Sequence, residues 1–421
     1  MRNIFLLLVA ALGALFVGNG TFHSFVLQKE TQVFLWLIIA ASVIAAADIF
    51  LRRKHFRDLP FQMAVLLSVV GIIMISRLKA ALFVPQLRWL AIGVCVFVLT
   101  VCFRKKLFRM LRYQYILGIL CIIVLMLPLI FGTEIGGSRN WIVLGPIEVQ
   151  PSEFGKLLLI FFLASYLSEH RQMLSLPNNK FLMMRFAPIR FMAPLLAIWG
   201  MAILMFVAAR DLGSALLFFG IAVAMTYMAS GSKSYTAVAV IAFMLAAVLS
   251  YHLFGHVRVR FDIWLNPWSD PSGEAYQIVQ SLFAIGSGGI WGTGLGHGQP
   301  GLIPEVHTDF IFSAIGEELG LLGMILIMTI YLLLFWCGIK AALRTAESSH
   351  ALLAAGASVI LLLQAFIIIA GVTKFLPLTG ITLPFVSYGG SSMVTCYLLL
   401  GIITSIPESS IKKRHNLKQN D

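Results

Sequence analysis

Three polar segments interrupt an otherwise apolar sequence, and their residue types suit activation of a hydroxyl and retention of an anion. The segment PEVHTDF sets Glu305, His307, Thr308 and Asp309 immediately before a long apolar run. A carboxylate at the N-terminal end of a helix is favoured in its ionised form by the helix dipole. An ionised carboxylate at a membrane mouth is a reasonable general base. Asp309 would also serve as a helix cap, and His307 is a weaker candidate base. The segment GGSRNWIVLGPIEVQPSEFGK carries two cations for an anionic ligand, Arg139 and Lys156, with Gln150, Ser152 and Glu153 beside them. Pro151 and the Ser152-x-x-x-Lys156 spacing read as a helix start. A capped helix with a snorkelling Lys156 therefore explains the same residues without a ligand. The third segment, TGITLPFVSYGGSS (379–392), places Pro384, Gly389, Gly390 and Ser391 inside an apolar stretch. Broken helices at membrane depth occur where backbone lines a cavity; packing of small residues between helices is the other reading.

The elements that must hold these groups follow from composition. Of 421 residues, 59% are hydrophobic and only 12% charged, against roughly 25% charged in soluble domains. A soluble globular enzyme and a disordered chain are both excluded. Runs of apolar residues fall at 4–18, 34–51, 61–76, 89–103, 115–131, 154–167, 192–209, 214–229, 235–254, 310–339, 351–370 and 384–406. The expectation is an all-α polytopic membrane protein with about twelve transmembrane helices. The first run is read as a retained span rather than a signal peptide, because no A-x-A-like site follows it. With the N-terminus in the cytoplasm and strict alternation, most of the 31 Lys and Arg residues fall on cytoplasmic loops and the C-terminal tail. Both termini are accordingly expected inside. All three polar segments then face outward. The formal charge of +13 reflects those loops rather than nucleic-acid binding, since no run alternates basic with aromatic residues.

Two outer loops are long, 132–153 and 255–309. The second contains YQIVQSLFAI (276–285), whose spacing suits a short amphipathic helix, and the glycine-rich stretch 286–298. No Lys-Ser/Thr follows those glycines and no strand precedes them, which argues against a phosphate loop; tight turns and close backbone approach are expected instead. Glu317 and Glu318 fall inside the 310–339 run and need an Arg or Lys partner or a polar cavity. Arg210-Asp211 reads as a local ion pair, and Asp48 as an acid tolerated at a span end. The five cysteines form no CxxC, so neither a disulfide framework nor a zinc site is indicated.

Taken together, the segments GGSRNWIVLG, QPSEFGKL, RDLGSAL, NPWSDPSGEAYQIVQS, AIGSGGIWGTGLG, PEVHTDFIFSAIGEELG and LPFVSYGGSS resemble the SEDS family (shape, elongation, division and sporulation), typified by RodA, FtsW and SpoVE. They occur in the family's order, and the RodA-like branch is slightly favoured. The family is similar in having about ten spans. The resemblance thus implies a core over 59–406, an added N-terminal pair of helices in 1–58 and a basic cytoplasmic tail at 407–421. Two departures stand out: Asn140 separates Arg139 from Trp141, and Arg210 stands where many members carry Pro.

What the resemblance implies is a peptidoglycan glycosyltransferase that polymerises lipid II, a disaccharide-pentapeptide on undecaprenyl pyrophosphate, at the outer face of the cytoplasmic membrane. The essential aspartate of the family's HTDF motif corresponds to Asp309, and its conserved basic residues correspond to Lys156 and Arg139. Gln150, Ser152, Glu153, Glu305, His307, Thr308 and Ser391 would line the substrate. Asp309 would take the proton of the attacking sugar hydroxyl, with inversion at the anomeric carbon. The pyrophosphate leaving group needs positive charge rather than an acid, from Lys156, Arg139 or a divalent cation, Mg or Mn. The implied partners are a class B penicillin-binding protein (a transpeptidase) and membrane lipids. A lipid II flippase and a non-catalytic scaffold for the transpeptidase are the rival readings; polar groups gathered on one face favour an enzyme.

Overall fold

With so few charges, backbone polar groups in the apolar runs must be satisfied within helices, and helices dominate the fold. The structure, a computed structural model, describes residues 20–406 except 55, 57, 136, 137, 146, 176–178, 182, 183, 187 and 188. Up to the second long loop the helices are α1 (Gly20–Arg53), α2 (Leu59–Leu78), α3 (Phe83–Cys102), α4 (Arg104–Arg109), α5 (Gln114–Phe131), α6 (Pro151–Glu169), α7 (Arg171–Ser175), α8 (Ile189–Ala208), α9 (Leu212–Ser230) and α10 (Lys233–Leu253). Then come α11 (Gly255–Leu265), α12 (Tyr276–Gly288), α13 (Ile311–Arg344), α14 (Ser348–Val372) and α15 (Gly390–Ser405). Among the described residues, nine helices are long and apolar enough to cross a membrane, and α15 is a shorter apolar helix. The expected span at 4–18 and the tail at 407–421 lie outside the described residues.

Three expectations are corrected. The run 384–406 is helical only from Gly390, because Pro384 and the two glycines cannot sustain a helix interior. The run 310–339 is interrupted at Gly320 (φ 66°, ψ −167°). The loop 132–153 folds as an antiparallel sheet in the order β1 (Thr133–Ile135), β2 (Ser138–Leu144), β3 (Ile147–Val149) before α6 begins. Its β-branched and aromatic residues suit strands, and β2 and β3 pair with Ile142 opposite Val149 and Leu144 opposite Ile147.

The chain divides into two compact units. Of the described residues, the first comprises 20–99, Val259–Leu334 and Gln364–Thr404. Its core stacks Phe61 on Phe97 with centroids 4.9 Å apart and sets Phe385 edge-on to Tyr397. Tyr397 meets Ser68 at 3.0 Å, so its buried hydroxyl is partnered.

The break in α13 is closed by the glycine-rich stretch. The Thr293 N–H donates to Glu317 O (2.9 Å) and the Gly294 N–H to Glu318 O (3.1 Å), while the Leu321 N–H donates to Gly289 O (3.0 Å). The backbone groups freed by the break are thus taken up, as a broken helix at membrane depth requires. The two acids are held there as well. Arg77 Nε lies 3.2 Å from Glu318 Oε1, and Arg77 Nη2 donates to Gly298 O at 3.1 Å. The Gln299 N–H donates to Glu317 Oε1 at 2.6 Å. A Cβ on Gly320 would stand 2.3 Å from Gly292 N and 2.6 Å from Ile290 O, so only glycine fits both the positive φ and the close approach.

Of the described residues, the second unit comprises Thr100–Arg258, Phe335–Leu363 and 405–406. Here α5 packs closely along α6. Phe162 and Tyr166 stack at 5.5 Å, and Phe206 meets Phe218 edge-on at 4.6 Å. Asp211 caps α9 by accepting from the Ser214 N–H at 2.9 Å.

The Gly320→Ala substitution is expected to lower stability by about 1–3 kcal/mol, the range for a strained backbone position. Gly200→Ala is the control. Gly200 lies inside α8 with nothing within 4 Å of its added methyl, so that change is expected to be neutral or mildly stabilising. Thermal unfolding of both purified variants in detergent checks this; equal melting temperatures would contradict the clamp.

Candidate active site

In the first unit, two of the three sequence segments meet. Asp309 is half-buried and sits in a turn two residues before α13. Its N–H donates to Glu305 O at 3.2 Å, and the Thr308 N–H donates to the same oxygen at 3.1 Å. Glu305 adopts φ 53°, a left-handed value uncommon for a side chain of that size. Asp309 thus lies in the turn that leads into α13, where its carboxylate stands close to the start of the helix.

The 379–392 segment docks on that turn. Ser387 Oγ donates to Thr308 O at 2.6 Å and accepts the Leu383 N–H at 2.8 Å. The Tyr388 N–H donates to His307 O at 2.9 Å. Gly380 (φ 70°) lets backbone approach the carboxylate: a Cβ there would stand 3.4 Å from Asp309 Oδ2. The docked segment is itself pinned. Tyr331 Oη donates to Pro384 O at 2.5 Å, Gln86 Nε2 to Ser387 O at 3.3 Å and Gln364 Nε2 to Thr382 O at 3.0 Å. Thr382 Oγ1 donates to Ser392 Oγ at 2.8 Å, beside Ser391, which is buried at the start of α15.

Residues without a local motif complete this arrangement. Arg260 Nη1 donates to Leu378 O at 3.2 Å, and Trp264 Nε1 donates to Lys374 O at 3.2 Å. No spacing rule links residues this far apart in the sequence, so sequence reasoning passed over Arg260, Trp264, Ser387 and Tyr388. His307 Nε2 lies 3.8 Å from Glu305 Oε2. Burial lowers the His307 pKa from 6.5; Glu305 opposes this and Lys79 reinforces it. The imidazole is therefore neutral at neutral pH.

In the second unit the segment that carries Arg139 and Lys156 builds a buried polar network. Lys156 is only 1% exposed, and its Nζ lies 2.5 Å from Glu153 Oε2. The snorkelling reading of Lys156 is thereby overturned, since the ammonium is buried against an acid one turn back on α6. Gln150 flanks the start of that helix. Ser152 Oγ accepts from Ser214 Oγ at 3.4 Å, and Ser214 Oγ also reaches Asp211 Oδ2 at 2.8 Å. Asn140 Nδ2 donates to the same Asp211 oxygen at 2.9 Å. Successive strand residues point to opposite faces: on β2, Asn140 is buried while Arg139 is exposed, its Nε donating to Gly132 O at 2.9 Å. The residue inserted between Arg139 and Trp141 thus ties the sheet to α9. Arg210 and Asp211 do not pair with each other. Asp211 is the cap and network acceptor, and Arg210 lies 3.8 Å from Glu134. Asp48 is buried, with Arg52 Nε at 2.9 Å.

Among the described residues, no three His, Cys, Asp or Glu side chains gather as a group that could hold a metal ion. The donors do not make a protein-built cage, so a Mg or Mn ion would depend on phosphate oxygens for most of its coordination.

Residues 55–412 match the sequence model of a family described as "Cell cycle protein" and labelled FtsW, RodA and SpoVE. The chain belongs to this family. It is 37% identical over 380 residues to the peptidoglycan glycosyltransferase RodA of Mycobacterium tuberculosis, covering 87% of this chain and 81% of that protein. It is 33% identical over 359 residues to the stage V sporulation protein E of Bacillus subtilis, covering 82% and 95%. A solved chain from a peptidoglycan synthase complex, described as coordinating polymerization and crosslinking, superposes with TM-score 0.67 at 24% identity over 83% of this chain and 97% of that one. The crystal structure of the Thermus thermophilus rod shape determining protein RodA gives TM-score 0.62 at 24% identity over 83% and 96%. Within the family, the RodA-like branch is favoured. Like other members, this one is a multi-pass protein of the cytoplasmic membrane.

Two outcomes follow from these geometries. Replacing Glu153 or Lys156 alone by Ala strands a buried charge and is expected to cost roughly 3–5 kcal/mol, whereas Glu153→Leu with Lys156→Met costs less than either single change. Melting of the purified variants checks this. For His307, the unfolded chain takes up a proton below pH 6.5 while the folded chain does so only at lower pH. Stability is therefore full above 6.5 and falls as the pH drops below it; His307→Gln should flatten that decline in melting temperatures between about pH 7 and 5.

Proposed function

We propose that this chain is a peptidoglycan glycosyltransferase that polymerises lipid II into β-1,4 glycan strands, with Asp309 as its general base. The observation that carries this reading is the half-buried carboxylate of Asp309, held in a turn outside α13 and faced by the docked 379–388 backbone. A base needs a fixed position, and the backbone hydrogen bonds of this turn support one. Asp309 takes the proton of the acceptor sugar hydroxyl as its oxygen attacks the anomeric carbon of the lipid-linked donor. The bond to pyrophosphate breaks on the opposite side, so the configuration inverts. The leaving group already carries its charge and needs cations rather than an acid.

Exposed Arg139 is the proposed contact for that pyrophosphate. Lys156, buried against Glu153, acts as a fixed charge pair beneath the sheet that carries Arg139. Glu305, His307 and Thr308 shape the turn around the base, and Ser391 lies at the start of α15. A divalent cation, Mg or Mn, would neutralise pyrophosphate oxygens as it arrives with the substrate. The reaction is assigned to the outer face of the membrane with both termini in the cytoplasm, an orientation supported by the distribution of basic loops. A class B penicillin-binding protein is the proposed partner, in keeping with the synthase complex whose chain shares this fold.

Purified protein with lipid II tests the reading. Wild type is expected to form glycan strands, and Asp309→Ala to lose at least about a hundredfold in rate while still binding the transpeptidase. Strand formation by Asp309→Ala at the wild-type rate would refute the assignment. Lipid II translocation that depends on Asp309, without strand formation, would favour a flippase. Chelation with EDTA should suppress polymerisation, and added Mg or Mn should restore it; indifference to EDTA would remove the metal from the proposal.

A further inference from the structure

The second unit contains a polar cleft that the proposed chemistry does not use. It has a volume of about 530 Å³ and is lined by Lys105, Arg109 and Arg112, with Ser165, Glu169 and His350 among its other walls. That volume falls within the roughly 300–1,000 Å³ of small-molecule sites. The cleft is walled by α4 and the turn that leads from it into α5, the end of α6, and the start of α14 with the residue before it, Glu347. Strict alternation puts these walls on one side of the membrane, the side of the basic loops.

The charges in the cleft are not balanced. Glu169 and Glu347 each have a hydrogen-bonding neighbour but keep their negative charge, so three cations face two carboxylates and the cleft is net positive. Glu169 accepts from Gln114 Nε2 at 2.5 Å. Glu347 lies 3.2 Å from His350 Nδ1 and accepts from Ser349 Oγ at 3.3 Å. The His350 ring is fixed against Phe108 with centroids 4.5 Å apart. The side chains of Lys105, Arg109 and Arg112, by contrast, are exposed and have no hydrogen-bond or ion-pair partner among the described residues. Ser349 lies in the first turn of α14, whose positive dipole end adds to the same sign. Three exposed cations beside the hydroxyls of Ser165, Ser168 and Ser349 at a membrane edge suit a phosphate ester.

We propose that this cleft binds a phosphate ester, either the headgroup of an anionic phospholipid or a soluble phosphate ester of the cytoplasm. The full-length protein in mixed micelles of phosphatidylglycerol and phosphatidylcholine tests this by native mass spectrometry, with glycerol 1-phosphate as the soluble competitor. Wild type should retain phosphatidylglycerol preferentially, and Arg109→Gln with Arg112→Gln should weaken that retention by about tenfold or more. Arg53→Gln with Lys54→Gln, which removes two exposed basic residues from a different loop, should leave it unchanged. Arg109→Lys with Arg112→Lys should keep most of it, so a folded charge-conserving variant accompanies the neutral one. Displacement by glycerol 1-phosphate assigns the site to a soluble ester, and retention in its presence assigns it to the lipid. Equal losses in the cleft and control variants, or no preference for phosphatidylglycerol and no binding of glycerol 1-phosphate in wild type, would overturn the proposal.

Discussion

Backbone outside a helix has no water to satisfy it at membrane depth, and this constraint organises the first unit. Two non-helical segments meet it in the same manner, by lending their peptide groups to a neighbour. The glycine-rich stretch takes up the groups freed where α13 breaks at Gly320. The 379–388 segment closes on the turn ahead of α13 through Ser387 and Tyr388. α13 is thus gripped at its start and at its break. Asp309 stands immediately before the gripped portion, so its position is fixed by backbone hydrogen bonds rather than by a long side chain.

The second unit solves a related problem with side chains. Burying an ammonium is costly unless a counter-charge and hydrogen bonds accompany it. Glu153 supplies the charge for Lys156 from one turn away on the same helix. Asn140, Asp211, Ser214 and Ser152 form a second buried chain that joins β2 to α6 and α9. Arg139 is left exposed on the opposite face of the strand. The two neighbouring strand positions thus serve different faces: Asn140 anchors the sheet to α9, and Arg139 lies exposed with its Nε bonded to Gly132 O.

Much of this was legible in the sequence. The apolar runs located the helices because hydropathy reads spans directly, and Pro151 marked the start of α6. The pairing of Glu318 with Arg77 was foreseen only as a need for a cation, since nothing local points from 318 back to 77. The strands over 133–149 were missed because short segments beside a membrane carry little periodic signal. The fate of Lys156 depended on burial, which spacing does not encode; a lysine in the second turn of a membrane helix reads as snorkelling until its surroundings are known. Arg210 and Asp211 read as a pair because they are adjacent, yet the cap on α9 and the sheet claim them separately. The docking of 379–388 on Asp309 was the least accessible feature. It joins segments some seventy residues apart through main-chain atoms, to which side-chain motifs are silent.

The docked 379–388 segment holds Asp309, the proposed base, in place. Ser387→Ala tests it most directly, because Ser387 bonds the Thr308 carbonyl and is assigned no contact with substrate. The measurement is the rate of glycan formation from lipid II by this variant, alongside its melting temperature and its affinity for lipid II. The expected result is a rate reduced by about tenfold or more, with binding near wild type, since a small displacement of a reacting group costs rate before affinity. A variant that folds, binds and polymerises at the wild-type rate would contradict the account.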